Sequence, residues 1–282
     1  TGSFNSWSLN VYGTGRVAEP PPGARVVTLA GGLDATGVDF GSRSLTLPAD
    51  PVRVAGVYFQ GSGWDAGYLA RSPFTAVAGT PLGWQLPDGA AQVADGSAAS
   101  WTNVDTISVR FDQPIAPPAA AAIRLVLATG AGSQQILPTA APALLAGGTV
   151  ARWILPAAFS ALGRGRYVLA MAAGGITNAA GTTTLDGEWT TSASTFAAGS
   201  GDGTAGGDFE FAFHVLPGDA TGEGVINVSD LSAIRTKLLG PLSTPLGSDA
   251  DYRLDVNGSN NLTVADLSQI RAQFASALGT RP

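Results

Sequence analysis

The stretch Gly218–Leu239 reads GDATGEGVINVSDLSAIRTKLL, and its pattern recurs at Leu254–Leu278 as LDVNGSNNLTVADLSQIRAQFASAL. Asp219 of the first copy and Asp255 of the second lie 36 residues apart. Each copy joins a segment rich in oxygen-bearing side chains to apolar residues at helical spacing. This arrangement is typical of a twelve-residue calcium-binding loop followed by a helix.

Calcium takes six to eight oxygen ligands, which such loops supply from positions 1, 3, 5, 7, 9 and 12. Position 6, where the chain turns sharply, is Gly224 in the first copy and Asn260 in the second, and both residue types tolerate the left-handed conformation. Ile226 and Leu262 at position 8 are expected to point inward. We therefore expect two calcium ions. The ligand positions hold Asp219, Thr221, Glu223, the Val225 carbonyl, Asn227 and Asp230, and then Asp255, Asn257, Ser259, the Asn261 carbonyl, Thr263 and Asp266.

Position 12 is Asp in both copies, where an EF-hand has Glu. A loop followed by one helix, repeated with Asp at position 12, resembles a type I dockerin over residues 216–279. Thr221, Glu223 and Ser259 depart from the Asn or Asp usual in that family, which predicts weaker binding, above all at the second loop. An alternative is that the loops are Asx turns that cap helices without a metal. The apolar stripes expected to form the helices are Leu231, Ile234 and Leu238, and Leu267, Ile270, Phe274 and Leu278.

The dockerin resemblance also implies a protein partner, which in dockerins is a cohesin. The contact in that family often involves loop positions 10 and 11 and positions 17 and 18. The recurrence of Val and Arg at these positions predicts a surface with approximate twofold symmetry. The partner is then a cohesin-like protein or another copy of the chain, which would give a homo-oligomer or filament. The positions hold Val228, Ser229, Arg235 and Thr236 in the first copy, and Val264, Ala265, Arg271 and Ala272 in the second.

The composition indicates a turn-rich β protein, because only 13% of the 282 residues are charged while Gly and Pro number 38 and 18. The chain has no cysteine, which excludes disulfide and thiolate chemistry. A net charge of −6 without a Lys/Arg cluster argues against nucleic acid or an anionic membrane as partner. No apolar run reaches the roughly 18 residues of a membrane span. We expect a secreted or cell-surface bacterial protein.

Residues 52–215 predict an Ig-like β-sandwich, because short apolar segments recur with Gly, Pro, Asn or Asp between them. Three phrases resemble a module that precedes dockerins in large secreted bacterial proteins: WTNVDTISVRFDQPI (Trp101–Ile115), TTLDGEW (Thr183–Trp189) and SGDGTAGGDFEFAFHVLPGD (Ser200–Asp219). The predicted fold class is mainly β, with a small α domain at 216–282. The expected strands are Val52–Gln60, Trp64–Leu69, Gly83–Leu86, Thr106–Phe111, Ile123–Leu127, Gln134–Leu137, Val150–Leu155, Tyr167–Met171, Leu185–Thr190 and Phe209–Val215; Ala157–Leu162 is expected to form a helical turn.

The opening run Ser3–Gly13, SFNSWSLNVYG, alternates apolar and polar residues and predicts a half-buried strand. It is similar to the last strand of the P domain of proprotein convertases, so residues 1–14 are interpreted as a remnant of a preceding domain. The alternative is an ordinary first strand of the next domain. Residues 15–51 contain three consecutive prolines, which predict a stiff linker with short strands at Val26–Leu29 and Arg43–Leu47.

Other polar and aromatic residues suggest weaker hypotheses. Asp202 and Asp208 lie among glycines, as a third calcium site or a hairpin loop would. Asp186 with Glu188, and Asp105 with Asp112, are carboxylate pairs, but nothing in the sequence selects either for glycosidase-type acid–base chemistry. The single histidine, His214, is expected at the surface or between domains. The tryptophans Trp7, Trp64, Trp84, Trp101, Trp153 and Trp189 are expected in the core, with a carbohydrate platform as the alternative.

These patterns favour a non-enzymatic structural or assembly module, such as a surface or fibre subunit. The alternative is a C-terminal docking appendage of a secreted hydrolase or protease, which the resemblance of residues 3–13 to a P domain favours. An enzyme in its own right is the least favoured reading.

Overall fold

The described residues form ten strands and three α-helices. The computed structural model describes residues 49–71, 73–129, 132–156, 163–239 and 251–274, all within one compact unit spanning Pro48–Pro282. The strands are β1 (Val54–Gln60), β2 (Thr75–Val77), β3 (Thr80–Gln85), β4 (Thr106–Phe111), β5 (Ile123–Thr129), β6 (Gly132–Ile136), β7 (Ala143–Leu145), β8 (Val150–Ile154), β9 (Gly165–Met171) and β10 (Phe209–Val215). The helices are α1 (Ala66–Leu69), α2 (Val228–Leu239) and α3 (Val264–Ala272).

The strands form two antiparallel sheets. The six-stranded sheet has the order β2-β3-β1-β4-β8-β7, and the four-stranded sheet has the order β10-β9-β5-β6. Both sheets contribute to one hydrophobic core, so they pack face to face. The fold is therefore mainly β, as the sequence predicted.

Aromatic rings join the two sheets at the centre of this core. Phe209, Phe211 and Phe213 of β10 are at most 1% exposed, because alternate residues of a strand share one face. The ring of Phe213 meets that of Phe59 on β1 edge to face, with centroids 4.7 Å apart, and stacks on Tyr167 of β9. Burial of such rings supplies much of the stability of a sandwich.

The strand predictions match Thr106–Phe111 and Phe209–Val215 residue for residue, and six others within a few residues. The strand predicted at Trp64–Leu69 is wrong, because the Asp65 carboxylate accepts from two amides and starts α1 instead. The strand predicted at Leu185–Thr190 is also wrong. That segment makes two isolated parallel bridges, from Leu185 to Val52 and from Asp186 to Gly206, rather than a continuous ladder.

Several predictions concern residues that the structure does not describe. The terminal strand at 1–14, the short strands within 15–51 and the helical turn at Ala157–Leu162 all lie outside the described residues. The short strands β2 and β7 were not predicted. Each has only three residues, which is too short for a period-two pattern to stand out.

A second, smaller core lies between the two loop–helix repeats. It contains Ile226 and Leu262 from the loops and Ile234 and Ile270 from the helices, each at most 5% exposed. Ala98, from the segment between β3 and β4, belongs to the same cluster, so the repeats and the sandwich share it. Phe274 departs from the predicted apolar stripe: it lies beyond the end of α3 and is 45% exposed.

Among the described residues, no helix has both the length and the apolar character needed to cross a membrane.

Replacement of Phe213 by Ala tests the contact between the two sheets. We expect Phe213→Ala to lower the free energy of unfolding by about 3–5 kcal/mol, because it removes a buried ring and leaves a cavity. Urea unfolding followed by circular dichroism measures the change. The control is Glu210→Ala on the exposed face of the same strand, which should cost about 0.5 kcal/mol or less. Equal losses in both variants would contradict the prediction.

Candidate metal centre

The first loop folds around the buried carboxylate of Asp219. Its Oδ1 atom accepts hydrogen bonds from the amides of Gly222 and Glu223, at 2.9 and 3.1 Å, and its Oδ2 atom accepts from the amide of Gly224 at 3.0 Å. The side chain is fully buried. Position 1 thus organises the turn that follows it.

Asp230 at position 12 closes the first loop from the first turn of α2. Its Oδ1 atom accepts from the Thr221 amide at 3.0 Å and lies 2.9 Å from Thr221 Oγ1. Its Oδ2 atom accepts from the Asn227 amide at 2.9 Å, and Asn227 Nδ2 donates to Glu223 Oε1 at 2.7 Å. The side chains predicted at positions 3, 5, 9 and 12 therefore lie together.

The second loop has the same arrangement of two buried aspartates, with fewer hydrogen bonds between residues of the loop. Asp255 and Asp266 are both fully buried. Asp255 Oδ1 accepts from the Ser259 amide at 3.0 Å, and Asp266 Oδ2 accepts from the Thr263 amide at 2.9 Å. Thr263 also caps α3, because its hydroxyl accepts from the Ala265 amide.

Two buried carboxylate oxygens of the second loop, Asp255 Oδ2 and Asp266 Oδ1, have no well-aligned hydrogen-bond donor in the described part of the chain, although the amides of Asn260 and Asn257 interact with these side chains. A buried charged oxygen is costly unless it is paired or binds a metal. The hydrogen bonds of an Asx turn and a helix cap satisfy the other oxygens, Asp255 Oδ1 and Asp266 Oδ2. They do not satisfy Asp255 Oδ2 and Asp266 Oδ1. The second loop therefore fits a bound cation better than a metal-free cap.

The two loops share a backbone pattern. At position 6, Gly224 and Asn260 have φ values of 82° and 66°, as the sequence led us to expect. At position 4, Gly222 and Gly258 have φ values of 74° and 69°. This second left-handed position was missed, although the glycine present there in both copies was a signal.

Burial raises the pKa of Asp219 and of Asp266 above the ordinary range of a carboxyl group. It raises the pKa of Asp255 to about 6, with a further contribution from the negative charge of Asp266. Burial therefore makes the ionised form of these carboxylates less stable, and a bound cation would offset this loss of stability.

The donor set fits calcium, since it consists of carboxylate, amide, hydroxyl and carbonyl oxygens. The residues that would hold the two ions are the twelve predicted ones, of which the four position-1 and position-12 aspartates are the buried members. Calcium would supply positive charge and fix the loop, without chemistry of its own.

Two of the residues predicted to contact a partner, Arg235 and Arg271, line the same groove. Leu231 and Arg235 of α2 and Leu267 and Arg271 of α3 line one groove of about 470 Å³. Leu231 corresponds to Leu267, and Arg235 to Arg271, by the same shift of 36 residues that relates the two loops. All eight residues at the predicted contact positions are exposed: Val228, Ser229, Arg235, Thr236, Val264, Ala265, Arg271 and Ala272.

The structure groups Asp202 with carboxylates other than Asp208. Asp202 lies with Asp186 and Glu188, their ligand oxygens within 4.8 Å of one another, whereas Asp208 accepts from the Ala173 amide. Both oxygens of the buried Asp186 already have protein partners. The carboxylate forms an ion pair with Arg53 Nε at 3.2 Å and accepts hydrogen bonds from the Asp202 and Gly203 amides.

The carboxylates of Asp105 and Asp112 lie at opposite ends of β4, whereas those of Asp186 and Glu188 lie together. Asp105 accepts from the Ser62 amide before β4, and Asp112 accepts from the Arg53 amide after it. Each carboxylate therefore belongs to its own loop.

His214 is buried, at 5% exposed, which contradicts the surface position that was one of its two predicted locations. Arg166 Nη1 lies 2.7 Å from its Nε2 atom. The segment after β3 covers this side of β10, because Gln92 Nε2 donates to the Ala212 carbonyl and the Ala99 amide donates to the His214 carbonyl.

The described tryptophans confirm the core prediction. Trp64, Trp101 and Trp153 are at most 6% exposed, and Trp84 and Trp189 pack against the same core. Trp7 lies outside the described residues.

No protein-family model matches the chain, and no curated protein matches it. Among solved structures, the chain is similar to the crystal structure of the S-layer protein rSbsC(31-844), with 12% identity, a TM-score of 0.27 and coverage of 43% of this chain and 13% of that chain. It is also similar to SbsC domains 1–6 and to the N-terminal part of the bacterial S-layer protein SbsC. Each is 13% identical with a TM-score of 0.25, covering 42% of this chain and 13% and 22% of theirs. The chain spans under a quarter of each, and such TM-scores carry no argument about function.

Substitution at position 12 tests the two metal sites separately. We expect the unaltered chain to bind two calcium ions, Asp230→Asn and Asp266→Asn to bind one each, and the double variant to bind none. An Asn at position 12 removes the negative charge and one anionic ligand. Isothermal titration calorimetry in metal-free buffer gives the stoichiometry. Two ions bound by the double variant would show that these loops are not the sites.

Proposed function

We propose that the chain is a non-enzymatic extracellular structural or assembly module, a surface or fibre subunit. In this proposal a calcium-stabilised, dockerin-like pair of loop–helix repeats makes the protein–protein contacts. The observation that carries the proposal is the groove between α2 and α3, which repeats the same residue types with the spacing of the calcium loops.

The groove has the composition of a protein interface. It is lined by two leucines and two arginines, Leu231, Leu267, Arg235 and Arg271. Apolar centres bordered by arginine are common in interfaces, because the guanidinium group combines apolar faces with hydrogen-bond donors. Val228 and Val264 add exposed apolar surface, at 65% and 72% exposed.

Charge favours a second copy of the chain as the partner. The chain carries a net charge of −6, whereas Arg235 and Arg271 make the groove locally basic. The surface of a second copy is therefore mainly acidic, whereas the groove is basic. This difference in charge would speed the association of the two copies and favour one orientation between them. Because the groove differs from the surface it would meet, the contact would be head to tail and could propagate into a filament.

Calcium would hold the groove in shape. Asp230 and Asp266 lie in the first turns of α2 and α3, so ions bound at position 12 would fix where each helix begins. Loss of the ions would leave buried carboxylates without counter-charge and would loosen both helices.

The remainder of the described chain would serve as a rigid spacer. Its strand orders β1-β4-β8-β7 and β10-β9-β5-β6 correspond to the orders A-B-E-D and G-F-C-C′ of an immunoglobulin-type sandwich, with β2 and β3 added beside β1. This correspondence supports the proposal of an Ig-like module. The absence of cysteine is compatible with export from a bacterium.

Light scattering after size-exclusion chromatography tests the assembly. We expect concentration-dependent oligomers in calcium and a monomer in chelator. Charge reversal in Arg235→Glu plus Arg271→Glu should abolish the oligomers, because it removes the basic character of the groove. The matched control is Arg124→Glu plus Arg164→Glu, which reverses two exposed arginines of the sandwich and should leave assembly unchanged.

A monomer under all conditions would contradict self-assembly and favour the docking appendage, which needs a foreign partner. Oligomers that persist after reversal of Arg235 and Arg271 would exclude the groove as the interface.

A further inference from the structure

The segment 96–103 of the sandwich runs along the C-terminal repeats. It reads GSAASWTN and lies between β3 and β4. The Thr102 amide donates to the Val256 carbonyl at 2.9 Å, and Thr102 Oγ1 lies 2.9 Å from Gln269 Oε1 on α3. The segment therefore contacts both the second loop and the helix that follows it.

The first half of the second loop is bonded directly to the sandwich. Asn103 Nδ2 donates to the Asn257 carbonyl at 2.8 Å, and the Asp65 amide donates to the Gly258 carbonyl at 2.8 Å. Arg71 Nε donates to Asn260 Oδ1 at 2.7 Å. Positions 3, 4 and 6 of the loop are thus each held by a different sandwich residue.

Aromatic residues complete this anchor. A Cβ atom on Gly258 would lie 2.4 Å from Trp64 Cδ1, so the loop backbone passes directly over the indole ring. Trp64 Nε1 donates to Asn103 Oδ1 at 2.7 Å, which ties the ring to the same asparagine that holds Asn257. Tyr68 Oη donates to the Tyr252 carbonyl at 2.6 Å and lies 3.3 Å from the Asp255 carbonyl.

The second half of the loop leads into α3, and the buried carboxylates lie where the two halves meet. Asp255 belongs to the anchored half, and Asp266 belongs to the first turn of α3. Two of their oxygens, Asp255 Oδ2 and Asp266 Oδ1, are buried and lack a well-aligned hydrogen-bond donor among the described residues. A cation bound by both would join the sandwich-anchored half to the helix.

We infer that the second calcium site is an interdomain site: sandwich residues Asn103 and Tyr68 set its affinity, and the bound ion fastens α3 to the sandwich. This inference rests on the proposed calcium function and extends it. By linkage, a contact that orders the loop raises the affinity for the ion, and the ion in turn stabilises the contact.

The first loop differs, because its Asp219 and Asp230 carboxylates are bonded by amides and a hydroxyl of the same loop. Its contacts with segment 96–103 include the close approach of Gly96 to the Gly222 carbonyl and the bond from the Gly218 amide to the Ser100 carbonyl. Loss of the Asn103 side chain should therefore spare the first site.

The test measures calcium affinity by calorimetry in the full chain, with one loop disabled at a time. In an Asp230→Asn background, which leaves the second loop, we expect Asn103→Ala to weaken calcium binding about tenfold, as removal of a supporting group outside the ligand shell typically does. Tyr68→Phe, a milder change, should act in the same direction. Gln113→Ala, which removes a sandwich amide that bonds to the Asp50 and Pro51 carbonyls, is the control and should stay within about twofold.

In an Asp266→Asn background, which leaves the first loop, Asn103→Ala should change the affinity by less than about twofold. Near-ultraviolet circular dichroism confirms that each variant is folded. The inference is overturned if Asn103→Ala and Tyr68→Phe leave the second site unchanged, or if they weaken both sites equally. An unaltered chain that binds no calcium would overturn the proposed calcium function itself, which is a distinct result.

Discussion

Four aspartates, Asp219, Asp230, Asp255 and Asp266, lie fully buried in two short loops, and this electrostatic constraint governs the C-terminal part of the molecule. Burial disfavours the charged form of a carboxyl group, so each loop needs compensating groups. The first loop supplies amides and a hydroxyl for every oxygen of its two aspartates. The second leaves two of its oxygens without a well-aligned hydrogen-bond donor, and a hard divalent cation would compensate their charge.

The sandwich and the repeats depend on each other through one segment. Residues 96–103 contribute Ala98 to the small core of the repeats and Trp101 to the core of the sandwich. Trp101 stacks on Tyr252 with ring centroids 5.8 Å apart, and its Nε1 atom donates to Tyr68 Oη. Arg253 reaches back from the repeats and donates to the Ala98 carbonyl. The boundary near residue 216 in the sequence is thus crossed by bonds in both directions, which makes mechanical coupling between the two parts possible.

The groove lined by residues of α2 and α3 owes its form to the same internal repetition. A shift of 36 residues carries Leu231 onto Leu267 and Arg235 onto Arg271, and the small core between the helices brings the two copies side by side. Duplication of a loop–helix unit therefore produces both a pair of similar loops and a paired surface. The proposed metal sites and the surface share the helices α2 and α3.

The sequence by itself determined the elements whose pattern is local. The alternation of apolar and polar side chains predicted the exact bounds of β4 and β10. The spacing of oxygen-bearing residues identified the four loop aspartates that are buried. Both patterns are formed by residues that are close in the sequence. Only the tertiary structure decided what depends on distant residues. It buried His214 beneath the segment after β3, brought Asp202 to Asp186 rather than Asp208, and turned Trp64–Leu69 into a capped helix that supports the second loop. No sequence period records that Asn103 holds Asn257, because 154 residues separate them and folding alone brings them together.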